Sequence, residues 1–203
     1  MFVTVRGGGA LLGNRPMWSI EYVERKSATM NKSAIAVMPG FFDRYINLAP
    51  DIELIVALNQ APSFEQLLPA ETAESLGDRV YAPGKWTIRD IVQHLIDTER
   101  IMAYRALRFA RHDQTVLPGF DEELFSRNAR AMRRSLTDLY EEYALNRQST
   151  LALFRSFDEE MLVEPGICFN QAVSPLALGY VLVGHPIHHV NIIRERYLPL
   201  ITR

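Results

Sequence analysis

Gly184-His185-Pro186-Ile187-His188-His189 places three of the chain's five histidines within six residues. The stretch lies in a segment, 175–198, whose apolar residues Leu178, Val181, Leu182, Ile192 and Ile193 recur at helical spacing. His185 and His189 are four apart, so on a helix they stand on one face about a turn apart. That face is otherwise core. An apolar stripe accepts two imidazoles only when their nitrogens have partners. A metal ion satisfies both at once; a buried network of hydrogen bonds to carboxylates is the other solution. Pro186 either costs a hydrogen bond inside the helix and kinks it, or marks the helix start, with His185 on a cap.

Outward from this segment, helical periods dominate and extended alternating runs are nearly absent. Residues 40–60 read as a helix interrupted at Pro50, with Phe41, Phe42, Tyr45, Ile46 and Leu48 before the break and Ile52, Leu54, Ile55 and Leu58 after it. Residues 61–84 read as a linker with short turns. A long helix spans about 87–110, where Thr87 and Asp90 form a capping box. Its apolar stripe is Ile88, Ile91, Val92, Leu95, Met102, Ala106 and Phe109. Leu117-Pro118-Gly119 breaks the chain. Residues 121–134 carry a charged short helix or ordered loop. Ser135 caps a helix over about 136–157, with Leu139, Tyr143, Leu151 and Phe154 on its apolar side, and a loop with Pro165 and Gly166 leads to the last helix. Four helices with one dominant stripe each predict an all-α four-helix bundle.

A histidine pair needs a third ligand, and only His94 and His112 remain. His112 sits between Arg111 and Asp113 near a helix end and reads as exposed. His94 lies mid-helix at the flank of the Ile91, Val92 and Leu95 stripe, where it can meet His185 and His189 across a helix interface. His188 is off-axis and reads as a neighbour of the pair rather than a ligand. Three histidines leave a coordination position open, the mark of a catalytic site, and neutral imidazole suits zinc, nickel, iron or copper. By helix angle Glu99 falls near the centre of the apolar stripe and Asp97 well outside it. A buried Glu99 needs a partner, and Arg196 on the last helix is the candidate. Asp97 and Glu99 are the candidate catalytic carboxylates, orienting a ligand or moving protons. Asp121, Glu122 and Glu123 read as a solvated acidic turn that could line the mouth.

Composition bounds the function. The chain has 203 residues, 48 % of them apolar, enough for one sizeable core, and a net charge of −2. No global basic field draws it to nucleic acid or anionic lipid, and Arg127, Arg130, Arg133 and Arg134 are offset by acidic residues on both sides. A single cysteine, Cys168, excludes an internal disulfide, fits a reducing cytoplasm, and reads as a small buried hydrophobe. No apolar run reaches the ~18 residues of a membrane span. Residues 1–36 read as an atypical, loosely attached extension, with Gly7-Gly8-Gly9, no signal-peptide core and Met30 as an alternative start.

Two segments resemble the DinB-like family (DinB/YfiT) of metal-dependent four-helix-bundle proteins. One runs from Pro83-Gly84-Lys85-Trp86-Thr87-Ile88 through His94-Leu95-Ile96-Asp97-Thr98-Glu99-Arg100, the other from Gly184-His185 through Glu195-Arg196-Tyr197-Leu198. The resemblance covers about residue 39 to the C-terminus and sets the domain at 37–203. It implies a divalent metal ion, zinc or nickel first and iron or manganese next, held by His94, His185 and His189, and a homodimer. It also implies a small-molecule substrate, since characterised relatives include thiol-dependent transferases using mycothiol or bacillithiol and a maleylpyruvate isomerase. The expectation is a metal-dependent hydrolase or a low-molecular-weight-thiol S-transferase, against a non-catalytic metal-binding stress-response protein or a plain interaction module.

Overall fold

The computed structural model describes residues 29–201; the readings made for residues 1–28 lie outside that span. The first bundle position is split, as Pro50 demands: α1 is Asp43–Ile46 and α2 is Leu54–Gln60. Two short helices follow where the sequence suggested only turns, α3 (Phe64–Leu67) and α4 (Ala70–Leu76). Each is too short for a 3.6-residue period to show, although Ser63 and Gln66 form a capping box at the start of α3.

The long helix α5 (Ile88–Phe109) begins where predicted. Thr87 Oγ1 accepts from the Asp90 amide and Asp90 Oδ2 from the Thr87 amide, satisfying two otherwise orphaned donors. Such a cap contributes about 1 kcal/mol. Then come α6 (Glu122–Ala129), α7 (Leu136–Arg155) capped by Ser135, and α8 (Glu159–Val163). The loop around Gly166 is a two-stranded antiparallel hairpin, β1 (Gly166–Cys168) and β2 (Gln171–Val173), rather than irregular chain. The last helix, α9 (Pro175–Ile192), runs without a break through Pro186, so the helix does not begin there. A π turn, Ile193–Tyr197, and a 3-10 turn, Leu198–Leu200, end it.

Helix α9 is central. It packs against α1, α2 and α5, and α5 packs also on α7. By length and mean hydropathy Pro175–Leu200 could cross a membrane, although polar residues interrupt its apolar run. With 78 % of that window buried inside the fold, its apolarity serves the core. Residues 30–35, assigned by sequence to the extension, are tied to the bundle. The Leu54 amide donates to Met30 O, Asn31 bridges Glu53, and Ile35 packs on the core.

The core is divided. One apolar cluster holds the Met102–Phe109 end of α5 with Phe154 and Leu176 to Val183; the other holds Ile88 to Ile96 with Leu136 to Tyr143 and Val190 to Tyr197. Between them lies a buried polar layer: Thr98, Glu99, Thr150, His185 and His189, with His94 at its edge.

Candidate metal centre

Helix α5 supplies His94 and α9 supplies His185 and His189. All three are buried, at 7 %, 4 % and 8 % exposure. Their Nε2 atoms converge: His185 lies 3.2 Å from His94 and 3.0 Å from His189. One ligand atom from each falls within 4.8 Å of the other two. Four tetrahedral zinc–nitrogen bonds of 2.0–2.1 Å would set neighbouring nitrogens about 3.3 Å apart, so the two short separations fit a shared divalent cation.

The electrostatics agree. Burial first, then the neighbouring His188, pull the His94 pKa from 6.5 down to about 4. Burial, the other histidines and the Arg147 guanidinium hold His185 well below its ordinary range, and burial with His94 and His188 does the same for His189. All three rings are therefore neutral at pH 7, with lone pairs to give. His94 Nδ1 lies 3.4 Å from the buried Thr98 hydroxyl. With Nδ1–H donating there, the His94 lone pair is on Nε2, facing the cluster. Among the described residues no carboxylate hydrogen-bonds any of the three rings, so the carboxylate-network reading of the pair does not hold.

Aromatic rings enclose the cluster. Trp86 lies 4.7 Å from His94 and stacks on His189 at 6.4 Å, and Tyr45 sits edge-on 4.8 Å from His185. Gly184 makes the last contact possible, because any Cβ there would fall 1.9 Å from Tyr45 O. His188 packs on Tyr45, half-buried and outside the ligand set. His112, as expected, is exposed and pairs with Glu164. Cys168 is fully buried.

The two candidate carboxylates part ways. Asp97 lines a cavity of about 10 Å³, room for one water, with His94, Phe120 and Glu122. Its Oδ1 accepts from Gln93 at 2.9 Å, and burial raises its pKa. Burial also raises Glu122, which the sequence placed in a solvated turn. Glu99 is 2 % exposed, as its helix angle predicted, but Arg196 is not its partner: the π turn after Ile192 carries Arg196 out to solvent, over Tyr81 and 3.7 Å from Glu195. Glu99 pairs instead with Arg147, 2.8 Å away. Arg147 was missed, though it stands four residues after Tyr143 and four before Leu151 in the apolar stripe of α7, a charge where the pattern asks for a hydrophobe. On the other flank a cleft of about 170 Å³ opens beside His189, walled by Trp86, Ile192 and Tyr197 and rimmed by Lys85 and Glu123. Glu123 accepts from Trp86 Nε1 at 3.2 Å.

A family model, the DinB superfamily, matches residues 60–193. The fold is similar to that of YfiT from Bacillus subtilis, described as a probable metal-dependent hydrolase with an unusual four-helix bundle topology. The TM-score is 0.62 at 17 % identity, over 90 % of this chain and 95 % of that one. At that identity the likeness speaks for the fold alone. No curated protein matches the chain significantly.

Proposed function

The chain belongs to the DinB superfamily, and on that premise we propose that it is a divalent-metal-dependent hydrolase of a small-molecule substrate, with His94, His185 and His189 as ligands. One observation carries the reading: three neutral, buried imidazoles share a centre that a space on either side, beside Asp97 and beside His189, leaves approachable. The description of YfiT as a probable metal-dependent hydrolase supports it. Three imidazole nitrogens suit zinc, nickel, iron or copper, and the family resemblance puts zinc and nickel first.

When bound, the ion supplies a Lewis acid and a water made acidic enough to react near neutral pH. The protein does the rest. Thr98 holds the His94 tautomer through Nδ1. Trp86 and Tyr45 close the rings off from bulk water, which strengthens every polar contact inside. The cleft beside His189 takes the substrate, apolar against Trp86 and Ile192. Asp97 accepts and returns the proton, its carboxyl tuned upward by burial toward the working pH. Glu99, closed off by Arg147, does not touch the reacting atoms.

Tag-free protein purified without chelator should carry one divalent ion per chain, and His189→Ala should carry none. Zinc- and nickel-loaded protein should hydrolyse members of an ester and amide panel above the rate of the free ions. Wild-type protein without a stoichiometric ion would overturn the reading. Loaded protein active only with a low-molecular-weight thiol and an electrophile would make it a transferase.

A further inference from the structure

The polar layer holds an ion pair that stability does not explain. Glu99 and Arg147 join through a single contact, Oε2 to Nη2 at 2.8 Å. Glu99 Oε1, Arg147 Nε, Arg147 Nη1 and the neighbouring Thr150 Oγ1 are buried without a hydrogen-bond partner among the described residues. A buried pair this poorly partnered is often no better for stability than apolar residues of the same volume. The guanidinium does something more specific. Nη2 also donates to Leu182 O at 2.9 Å and lies 3.1 Å from the Tyr143 hydroxyl, so its two N–H bonds serve three acceptors, with Glu99 and Leu182 the shorter contacts. In an uninterrupted helix that carbonyl accepts from the amide of residue 186, four positions on. Residue 186 is proline and has no N–H to give. Arg147 thus replaces the donor that Pro186 removes, and the turn bounded by Leu182 and Pro186 is the one that carries His185.

We propose that Arg147, held by Glu99, is a positioning residue of the metal centre: by taking the carbonyl that Pro186 frees, it fixes the turn of α9 that aims His185 at His94 and His189. The inference rests on the reading that these imidazoles bind a divalent ion. It assigns Pro186, Arg147 and Glu99 to one device. The proline opens the helix ladder at a chosen carbonyl, and a neighbouring helix grips it, coupling α5, α7 and α9 at the level of the site. A self-satisfied helix would lack that lateral anchor.

The test is a double-mutant cycle on the full-length, tag-free protein, reading zinc affinity by competition with a chromophoric chelator. Arg147→Met should weaken zinc binding by about ten- to a hundredfold, the usual effect of losing a group that orients a ligand. Pro186→Ala restores the amide to Leu182 O, so in that background Arg147→Met should change zinc affinity by less than about threefold. The visible absorption of the cobalt-loaded protein should follow: tetrahedral bands weakened by R147M alone, unchanged by R147M once P186A is present. If R147M does not fold, Glu99→Gln, which keeps the shape and removes the charge holding the guanidinium, serves in its place. It should cost several-fold in zinc affinity while Pro186 is present and nothing in the Pro186→Ala background. Equal losses in both backgrounds would overturn the carbonyl route. So would wild-type zinc affinity in R147M, with only the melting temperature lowered. Wild-type protein that binds no zinc defeats the underlying metal reading instead, and the two failures are distinct.

Discussion

Replacing Gly184 with alanine sets two effects of opposite sign against each other. In an exposed helix interior alanine is better than glycine by roughly 1 kcal/mol, so propensity alone predicts a more stable protein. Gly184 is buried where α1 meets α9, and a Cβ there would lie 1.9 Å from Tyr45 O and 2.7 Å from Tyr45 C. Carbon and oxygen approach no closer than about 3.3 Å in favourable contacts, so roughly 1.4 Å must open between two backbones. No flexible side chain can yield. Overpacking costs about 1–3 kcal/mol, and an obstacle made of main chain belongs at the upper end. Less the propensity gain, Gly184→Ala should destabilise by about 2 kcal/mol, or roughly 4–8 °C in Tm for a chain of this length. Because Tyr45 rests on His185 at 4.8 Å, zinc affinity should fall as well. Differential scanning calorimetry of chelator-stripped protein reads the first effect and chelator competition the second. Gly179→Ala is the control: a Cβ there meets the tip of Leu54 at 2.7 Å and Phe154 at 3.0 Å, where a side chain can move, so its Tm should fall less. A G184A protein as stable as wild type would refute the close α1–α9 approach from which the argument starts.

Chelator-stripped protein should lose stability as pH falls below about 6.5. The unfolded chain protonates its histidines there, while His94 stays neutral down to about 4 and burial holds His185 and His189 well below their ordinary range. The unfolded state binds more protons in that window, so unfolding becomes easier with each step down, by roughly 3 kcal/mol at full effect for His94 alone. Thermal melts from pH 8 to 4.5 check this, and a flat Tm below pH 6.5 would contradict the burial of the rings. Thr98→Val, nearly isosteric, should lower zinc affinity about tenfold with a small change in Tm, measured by the same competition assay. Asp97→Asn should keep the ion but cut hydrolysis by about a hundredfold. In the wild type, activity should rise with pH through the Asp97 pKa, above the ordinary range for aspartate, and that limb should vanish in the variant.

Much of the architecture is local and therefore written in the sequence. Thr87 and Asp90 announce α5, Ser135 announces α7, and the stripes name the buried faces. What stayed hidden depends on geometry that spacing does not encode. The hairpin turns at Phe169 and Asn170, both in the left-handed region, in place of the Asn-Gly pair that marks such turns. Glu99 was correctly buried by its angle, but its partner required knowing that the last helix widens to a π turn before Arg196. The His94 meeting with α9 was readable only as a flank position, and its hydroxyl partner, Thr98, only as the residue one turn on. Arg147 was the legible signal left unread: a cation at the centre of an apolar stripe.

The donors and acceptors around the three rings argue against a site that exists only to fill space. A neutral imidazole has one N–H. With that N–H directed from Nδ1 at Thr98, 3.4 Å away, His94 Nε2 is an acceptor. If His185 donates from Nε2 toward His94, then His185 Nε2 cannot also accept from His189, 3.0 Å away. If His185 presents a lone pair instead, it faces the lone pair of His94 across 3.2 Å. Among the described residues no carboxylate hydrogen-bonds the rings, Glu99 pairing with Arg147 and Asp97 Oδ1 accepting from Gln93, and burial bars a second proton on any ring. The best the rings can do alone is one His185 N–H shared between the lone pairs of His94 and His189, a three-centre bond weaker than two separate ones. A divalent cation, as proposed above, would take a lone pair from each of the three at once.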